Sequence, residues 1–267
     1  MWTEEVFART RPAIAMVHLD ALPGAVTFDT TGGLQRICEH AAYDYNALAD
    51  NGIDAVIFCN ENDKPYTRRA GPETTAAMTA VVSYVMKQAD TVVPFGIDIQ
   101  WDPMAAISVA AVTGAVFARG IMCGTFCGDL GFYTPDPLEI VQYRKRIGAE
   151  GVKLITNLVP EFSYALDRRD ICLRAQTVAK SSMMDGICVS GTMAGGEAPL
   201  TQLISVKQAL TSTDMPVFAN TGVTPENVRD ILSIADGCIT ATCLKVGRNG
   251  HNRIDPANVR NFVSQLD

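Results

Sequence analysis

The sequence has no run of lysine and arginine long enough to track a nucleic-acid backbone. Its tight basic groups are Arg68-Arg69, Arg168-Arg169 and Arg144-Lys145-Arg146, which read as solvated helix or loop faces. With 22 basic against 29 acidic residues, the net charge is -7. Such a field disfavours nucleic acid and anionic membrane surfaces as partners. No apolar run is long enough to span a bilayer. The most apolar stretch, 104–118, contains Ser108, Thr113 and Gly114 and ends at Arg119; it reads as a buried helix and then a buried strand. The start, Met1-Trp2-Thr3-Glu4-Glu5, has neither the basic head nor the apolar core of a secretion signal. There is no CxxC pair. Five of the eight cysteines (Cys59, Cys123, Cys188, Cys238, Cys243) sit in apolar runs, as reduced core residues of a cytoplasmic protein do. Cys123 and Cys127 have no second Cys/His pair nearby to complete a zinc site. Also missing are GxSxG, HExxH and Walker signatures, so no motif announces a mechanism.

What is present is organised around residues 215–247, MPVFANTGVTPENVRDILSIADGCITATCLKVG. An apolar run ends at Thr221-Gly222. Thr224 is a candidate N-cap, with Pro225 at the first helical position. Val228, Ile231, Leu232 and Ala235 recur at helical spacing. A second apolar run covers 238–246. Strand, helix and parallel strand make a right-handed βαβ unit. Small residues end both strands, Thr221-Gly222-Val223 and Ala241-Thr242, and leave backbone N–H groups open to an anion. In a (β/α)8 barrel, phosphate sits after strands seven and eight.

The rest of the chain supplies the other strands. Apolar runs at 13–20, 55–60, 92–100, 115–123, 151–157 and 186–190 alternate with helical stretches at 34–51, 72–89, from 104, 136–147, 169–182 and 200–210. A glycine-rich loop is expected over 123–131, a short helical turn near Pro160, and a last helix from Asp255-Pro256 to about 266. Parallel strands covered by helices lose strict alternation, as these do. No linker or low-complexity tract divides the 267 residues. The expected architecture is α/β, a single (β/α)8 TIM barrel domain over 1–267; an open sheet would leave two edges to protect.

The carboxyl ends of barrel strands carry the chemistry. They offer His18 and Asp20, Asn60 and Glu61, Asp98 and Gln100, Arg119, Lys153 and Asn157, Ser190, and Asn220. His18 and Asp20 share a face by the period of two. A carboxylate at Asp98 after VVPFGI needs a partner, so it is a site residue or pairs with Lys153 or Arg119. Lys153 in GVKLITN is either a structural ion pair, an anchor for an anion, or a Schiff-base lysine. Cys59 reads as packing. His18, Asp98, Lys153, Glu61 and Asn157 form the candidate catalytic set. The candidate phosphate set is Gly191, Thr192, Thr221, Gly222, Val223, Ala241 and Thr242; it includes the loop 191–196, which lacks the dinucleotide fingerprint. No cofactor is expected. A divalent metal on His18, Asp98 and Glu61 is a weaker option, because spacing does not give ligand geometry.

Several stretches resemble the BtpA/SgcQ family: MVHLDALPG (16–24), NENDKPY (60–66), VSGTMAGG (189–196), NTGVTPENV and ADGCITATCLK. Others are similar to its SgcQ branch: PETTAAM, FGIDIQWDP, RIGAEGVK and RDIC. The resemblance covers nearly the whole chain and implies a barrel of the ribulose-phosphate-binding kind. It implies no fixed reaction. The BtpA branch is associated with photosystem I biogenesis, the SgcQ branch with a sugar phosphotransferase and catabolic gene group. After strand two the family often has a glutamate before the asparagine. This chain has Cys59 there, and Glu61 is the nearby carboxylate. Two functions are therefore expected: an enzyme on a phosphorylated sugar or similar small anion (isomerase, epimerase, aldolase or lyase), or a non-catalytic assembly factor. A homo-oligomer is compatible with either.

Overall fold

The structure is a computed structural model and describes residues 1–193 and 195–266. Eight parallel strands close into a barrel, with two short strands inserted after the fourth and one after the fifth. In chain order the strands are β1 (Ala13–His18), β2 (Ala55–Cys59), β3 (Phe95–Asp98), β4 (Phe117–Gly120), β5 (Phe126–Gly128), β6 (Gly131–Tyr133), β7 (Lys153–Asn157), β8 (Ser163–Ala165), β9 (Gly186–Ser190), β10 (Val217–Asn220) and β11 (Gly237–Thr240). Around the barrel the order is β1-β11-β10-β9-β7-β4-β3-β2. In that ring β11 stands opposite β4 and β10 opposite β3. The helices are α1 (Trp2–Val6), α2 (Gly33–Ala49), α3 (Pro72–Gln88), α4 (Pro103–Thr113), α5 (Pro137–Arg146), α6 (Ile171–Ser181), α7 (Leu200–Ala209), α8 (Val228–Ile234) and α9 (Pro256–Val263). Among the described residues no helix is long and apolar enough to cross a membrane.

The two faces of each strand feed two cores. Outward residues such as Ala13, Ala15, Val17, Val56 and Phe58 pack beneath the helices. Inward residues Ile14, Met16, Ile57, Phe117, Ile155, Cys188, Phe218 and Ile239 fill the barrel. Gly96 and Gly237 make room for the rings: a Cβ on Gly96 would sit 2.2 Å from Phe117, and one on Gly237 2.8 Å from Phe218. Helix α1 closes the amino end. Trp2 donates its indole N–H to the Asp185 carbonyl at 2.7 Å, and its ring packs on Phe7 and Phe218. The barrel is therefore plugged below and opens only at the carboxyl ends of its strands.

Several elements differ from the sequence expectation. Strand β1 stops at His18, because Leu19 and the residues after it turn over the rim. Strand β11 ends at Thr240, not at 246, and two single-turn 3-10 helices follow at Thr242–Leu244 and Val246–Arg248. Helix α8 begins at Val228, not at Pro225. The Asn227 side chain takes over the turn, accepting from the Thr224 N–H at 2.8 Å and donating to the Gly222 carbonyl at 2.9 Å. The glycine-rich loop contains β5 and the start of β6, and the chain turns at 161–162, without a helix, before β8; β5 pairs with both β6 and β8 in a small antiparallel sheet over the mouth. Phe126, Tyr133 and Ile121 bury its inner face.

Candidate active site

Each barrel strand except the last carries, at its carboxyl end or one residue before it, an inward residue that is polar or a thiol. His18, Cys59, Asp98, Arg119, Asn157, Ser190 and Asn220 form one layer at the mouth. Register places Cys59 beside His18 and Asp98, and Asp98 beside Arg119. His18, Asp98, Arg119, Asn157 and Asn220 of this layer line a cavity of about 530 Å³, together with Glu61, Lys64, Tyr66, Gln100, Glu161, Gly222, Val223, Ala241 and Thr242, while Cys59 and Ser190 lie outside its lining. That is the size of a small-metabolite pocket.

On one wall, Arg119 donates to Asp98. The two are 7 % and 2 % exposed. Burial pushes the Asp98 carboxyl up to about 6, with Arg119 pulling the other way. Burial also works against the Arg119 charge, but facing Asp98 outweighs it and holds the guanidinium protonated. Glu161, on the loop after β7, reaches back over this pair, 3.9 Å from Arg119. It accepts from Asn220 at 2.8 Å and from Asn157 at 3.4 Å. Asn220 also donates to Ser190 at 2.8 Å. Glu61 takes Lys64 at 2.8 Å and the Gln100 amide at 3.1 Å. Burial raises the Glu61 carboxyl, but the hydrogen bond and charge of Lys64 pull it the other way, and it lies below the usual range.

His18 is held neutral. Burial, and then the charge of Lys245, push its imidazole down to about 3. The Lys245 ammonium lies 3.3 Å from His18 Nδ1 and 2.6 Å from the Gly250 carbonyl. Donation from Lys245 to Nδ1 leaves the proton on Nε2. Lys245 is 1 % exposed, and burial lowers its ammonium to about 8.

Opposite Asp98 and Arg119 stand the ends of β10 and β11. Among the described residues, the N–H groups of Gly222, Val223 and Thr242 make no hydrogen bond within the chain. Gly222 has φ +63°, and a Cβ there would meet Glu197 backbone at 2.4 Å. The short 3-10 turn at Thr242–Leu244 begins one residue after β11, the place where many (β/α)8 barrels have a short extra helix.

The remaining expected residues fall outside this arrangement. Lys153 opens β7, four residues below Asn157, or about 13 Å along the strand. It sits at the plugged end, 3.8 Å from Asp185, so it neither reaches the cavity nor pairs with Asp98. Asp20 lies beyond the end of β1 and turns outward to His40 at 2.6 Å and Arg253 at 2.8 Å. The period of two therefore does not carry past His18. Asn60 braces loops, accepting from the Gln100 N–H at 2.8 Å and donating to Asp63 at 2.9 Å. Gly191 and Thr192 brace the loops after β7 and β10 and do not line the cavity. The Gly191 N–H is taken by the Thr221 hydroxyl at 2.9 Å, which donates to Gly196 at 2.7 Å. The Thr192 carbonyl accepts from Phe162 at 3.3 Å. Ala194 of the same loop lies outside the described residues. No group of three or more His, Cys, Asp or Glu among the described residues is placed to share a metal ion. Arg119 and Lys245 occupy the positions beside Asp98 and His18 that a cation would need. Cys59 is buried and its thiol is raised well above the usual range by burial, so it is packing.

Glu161 and Lys245 were not expected from the sequence, yet both had a signal. Glu161 follows a barrel strand end by four residues. Lys245 is a lone lysine in an apolar run, the same cue that drew attention to Lys153.

A closed (β/α)8 barrel with a polar, acid-lined mouth at its carboxyl face belongs to the architecture that many barrel enzymes share. Phosphoribosyl anthranilate isomerase from Thermus thermophilus superposes with a TM-score of 0.57 at 13% identity, over 96% of this chain and 98% of that one. The BtpA family profile matches residues 9–267, and the chain belongs to the BtpA family. It is 41% identical to the sgc region protein SgcQ of Escherichia coli, over 99% of this chain and 97% of that protein. It is 28% identical to the Photosystem I biogenesis protein BtpA of Synechocystis, over 98% and 90% of the two chains.

Proposed function

We propose that the protein is an enzyme that binds a small phosphorylated metabolite, a sugar phosphate or similar anion, across the barrel mouth. One observation carries this reading: residues with unpartnered backbone N–H groups, Gly222, Val223 and Thr242, line one cavity with the buried Asp98–Arg119 pair and the half-buried Glu161. The phosphate rests on the first and the reacting carbons lie against the second. Asp98, with its carboxyl near 6, moves a proton at working pH. Neutral His18 donates from Nε2 to a carbonyl or hydroxyl oxygen, as neutral imidazoles do in proton-transfer enzymes. Isomerase or epimerase chemistry fits this set better than a Schiff-base aldolase on Lys153, which lies at the other end of the barrel. The test is calorimetric titration with inorganic phosphate and pentose and hexose phosphates, repeated on Gly222→Ala. Absence of any phosphate binding, or binding indifferent to Gly222→Ala, removes the proposal.

A second reading, a non-catalytic assembly factor, has its own support in the likeness to the Synechocystis protein and in the outer face of the small sheet. There Phe132 and Tyr164 flank Cys127 in one cross-strand row, 67 % and 83 % exposed. Exposed aromatic rows mark partner surfaces. If Phe132→Ser/Tyr164→Ser abolishes function in cells while Asp98→Asn does not, this second reading replaces the first.

A further inference from the structure

We infer that the end of the ligand remote from phosphate is an uncharged, hydroxyl-bearing head. The site would then take sugar monophosphates and discriminate against bisphosphates and phosphosugar acids. The inference rests on the phosphate reading above and adds the chemistry of the opposite wall. That wall carries three carboxylates, Glu61, Asp98 and Glu161, among the lining residues. Both of its cations are already engaged. Arg119 bridges Asp98 and Glu161, and Lys64 holds Glu61 at 2.8 Å. Lys245 lies behind His18 with its ammonium on the Gly250 carbonyl, and His18 itself is neutral. A second anionic group on the ligand therefore finds no unpaired cation on this wall among the described residues, and it meets three carboxylates.

The hydrogen-bonding inventory points the same way. Ionised carboxylates only accept; of the two buried side-chain atoms here without a partner, the Asn157 amide oxygen accepts and Arg119 Nε donates. With three carboxylates beside them, acceptors outnumber open donors on this wall. Hydroxyls supply donors; a phosphate dianion or a carboxylate supplies none. On the other side Arg248 and His251 line the cavity on the loop that follows Thr242, with Arg248 paired to Glu226 at 2.6 Å. The open backbone N–H groups of Gly222, Val223 and Thr242 lie on that side, opposite the carboxylates, and give the anion its place there.

The experiment is calorimetric titration of the full chain with inorganic phosphate, glucose monophosphate, ribose monophosphate, fructose bisphosphate and phosphogluconate. At least one monophosphate should bind more tightly than inorganic phosphate. It should exceed fructose bisphosphate and phosphogluconate by roughly tenfold or more, the size expected for an extra like charge a few ångströms from a partly buried carboxylate. The Glu61→Gln/Glu161→Gln variant should narrow that gap by a similar factor. Charged heads that bind as well as neutral ones overturn the inference while leaving the phosphate reading intact. So does a neutral head that adds nothing to the affinity of inorganic phosphate. If no phosphate compound binds at all, the phosphate reading fails and this inference goes with it.

Discussion

Replacing Lys245 with methionine removes a buried ammonium of nearly the same length and reports on the site without a known substrate. Burial lowers this ammonium from 10.5 to about 8, which corresponds to about 3 kcal/mol of folding free energy. At neutral pH both the folded and the unfolded chain hold the proton, and Lys245 adds no pH dependence. As pH rises through about 8 the folded protein releases it while the unfolded chain keeps it up to 10.5. The unfolded state then binds more protons, so stability rises with pH across that window. Methionine has nothing to titrate. The stability of the wild type minus that of Lys245→Met should therefore climb by about 3 kcal/mol from neutral pH to the top of the window, with other lysines and tyrosines cancelling in the difference. At neutral pH the two proteins should lie within about 2 kcal/mol. The Gly250 carbonyl loses its donor, and the cost of burying a charge disappears. Urea unfolding at a series of pH values measures this, and a flat or falling difference refutes the reasoning. The His18 imidazole gives a second readout by NMR titration. Burial is the larger cause of its fall to about 3 and Lys245 the next. In the variant it should rise but stay below 6.5; no movement contradicts the assigned contact, and full recovery contradicts the dominance of burial.

Three further outcomes are expected. Asp98→Asn should abolish turnover of any sugar phosphate the protein converts, while phosphate binding persists; because burial raises the Asp98 carboxyl to about 6, wild-type activity should rise with pH through that value. Over the same range wild-type stability should fall relative to Asp98→Asn, since the folded form holds this proton more readily than the unfolded chain. Lys153→Ala should leave ligand binding unchanged and cost at most about 1 kcal/mol in urea unfolding, because its partner Asp185 is 3.8 Å away in a partly exposed pair. Phe126→Ala should cost about 3 to 5 kcal/mol and weaken ligand binding, because Phe126 is fully buried under the small sheet whose β8 continues from the Glu161 loop; wild-type affinity in this variant would show that the sheet does not support the site.

The barrel was legible in the chain because its cues are local. Eight apolar runs alternate with helical periods, and glycine, proline or aspartate marks most of the boundaries between them. Taking the polar residues at the carboxyl end of each run also named His18, Asp98, Arg119, Asn157 and Asn220. It failed where the local rule ended. The small sheet joins segments 126–133 and 163–165, whose pairing depends on strands too short to announce themselves. Glu161 enters the site only because that sheet brings its loop back over the mouth.

The two lysines show the division most clearly. Lys153 and Lys245 look alike in sequence, each a lone cation in an apolar run that must find a partner if buried. In the sequence only Lys153 was singled out, although the same cost of desolvating an ammonium applies to Lys245. Only closure of the barrel decided which lysine sits at the plugged amino end beside Asp185 and which lies at the open end behind His18. Height along a strand and the neighbour across the ring are set by shear and closure, which are properties of all eight strands together. The same closure paired Arg119 with Asp98 and set Gly222 and Thr242 across the mouth from them, where the chain alone could only propose that each stood at the end of a strand.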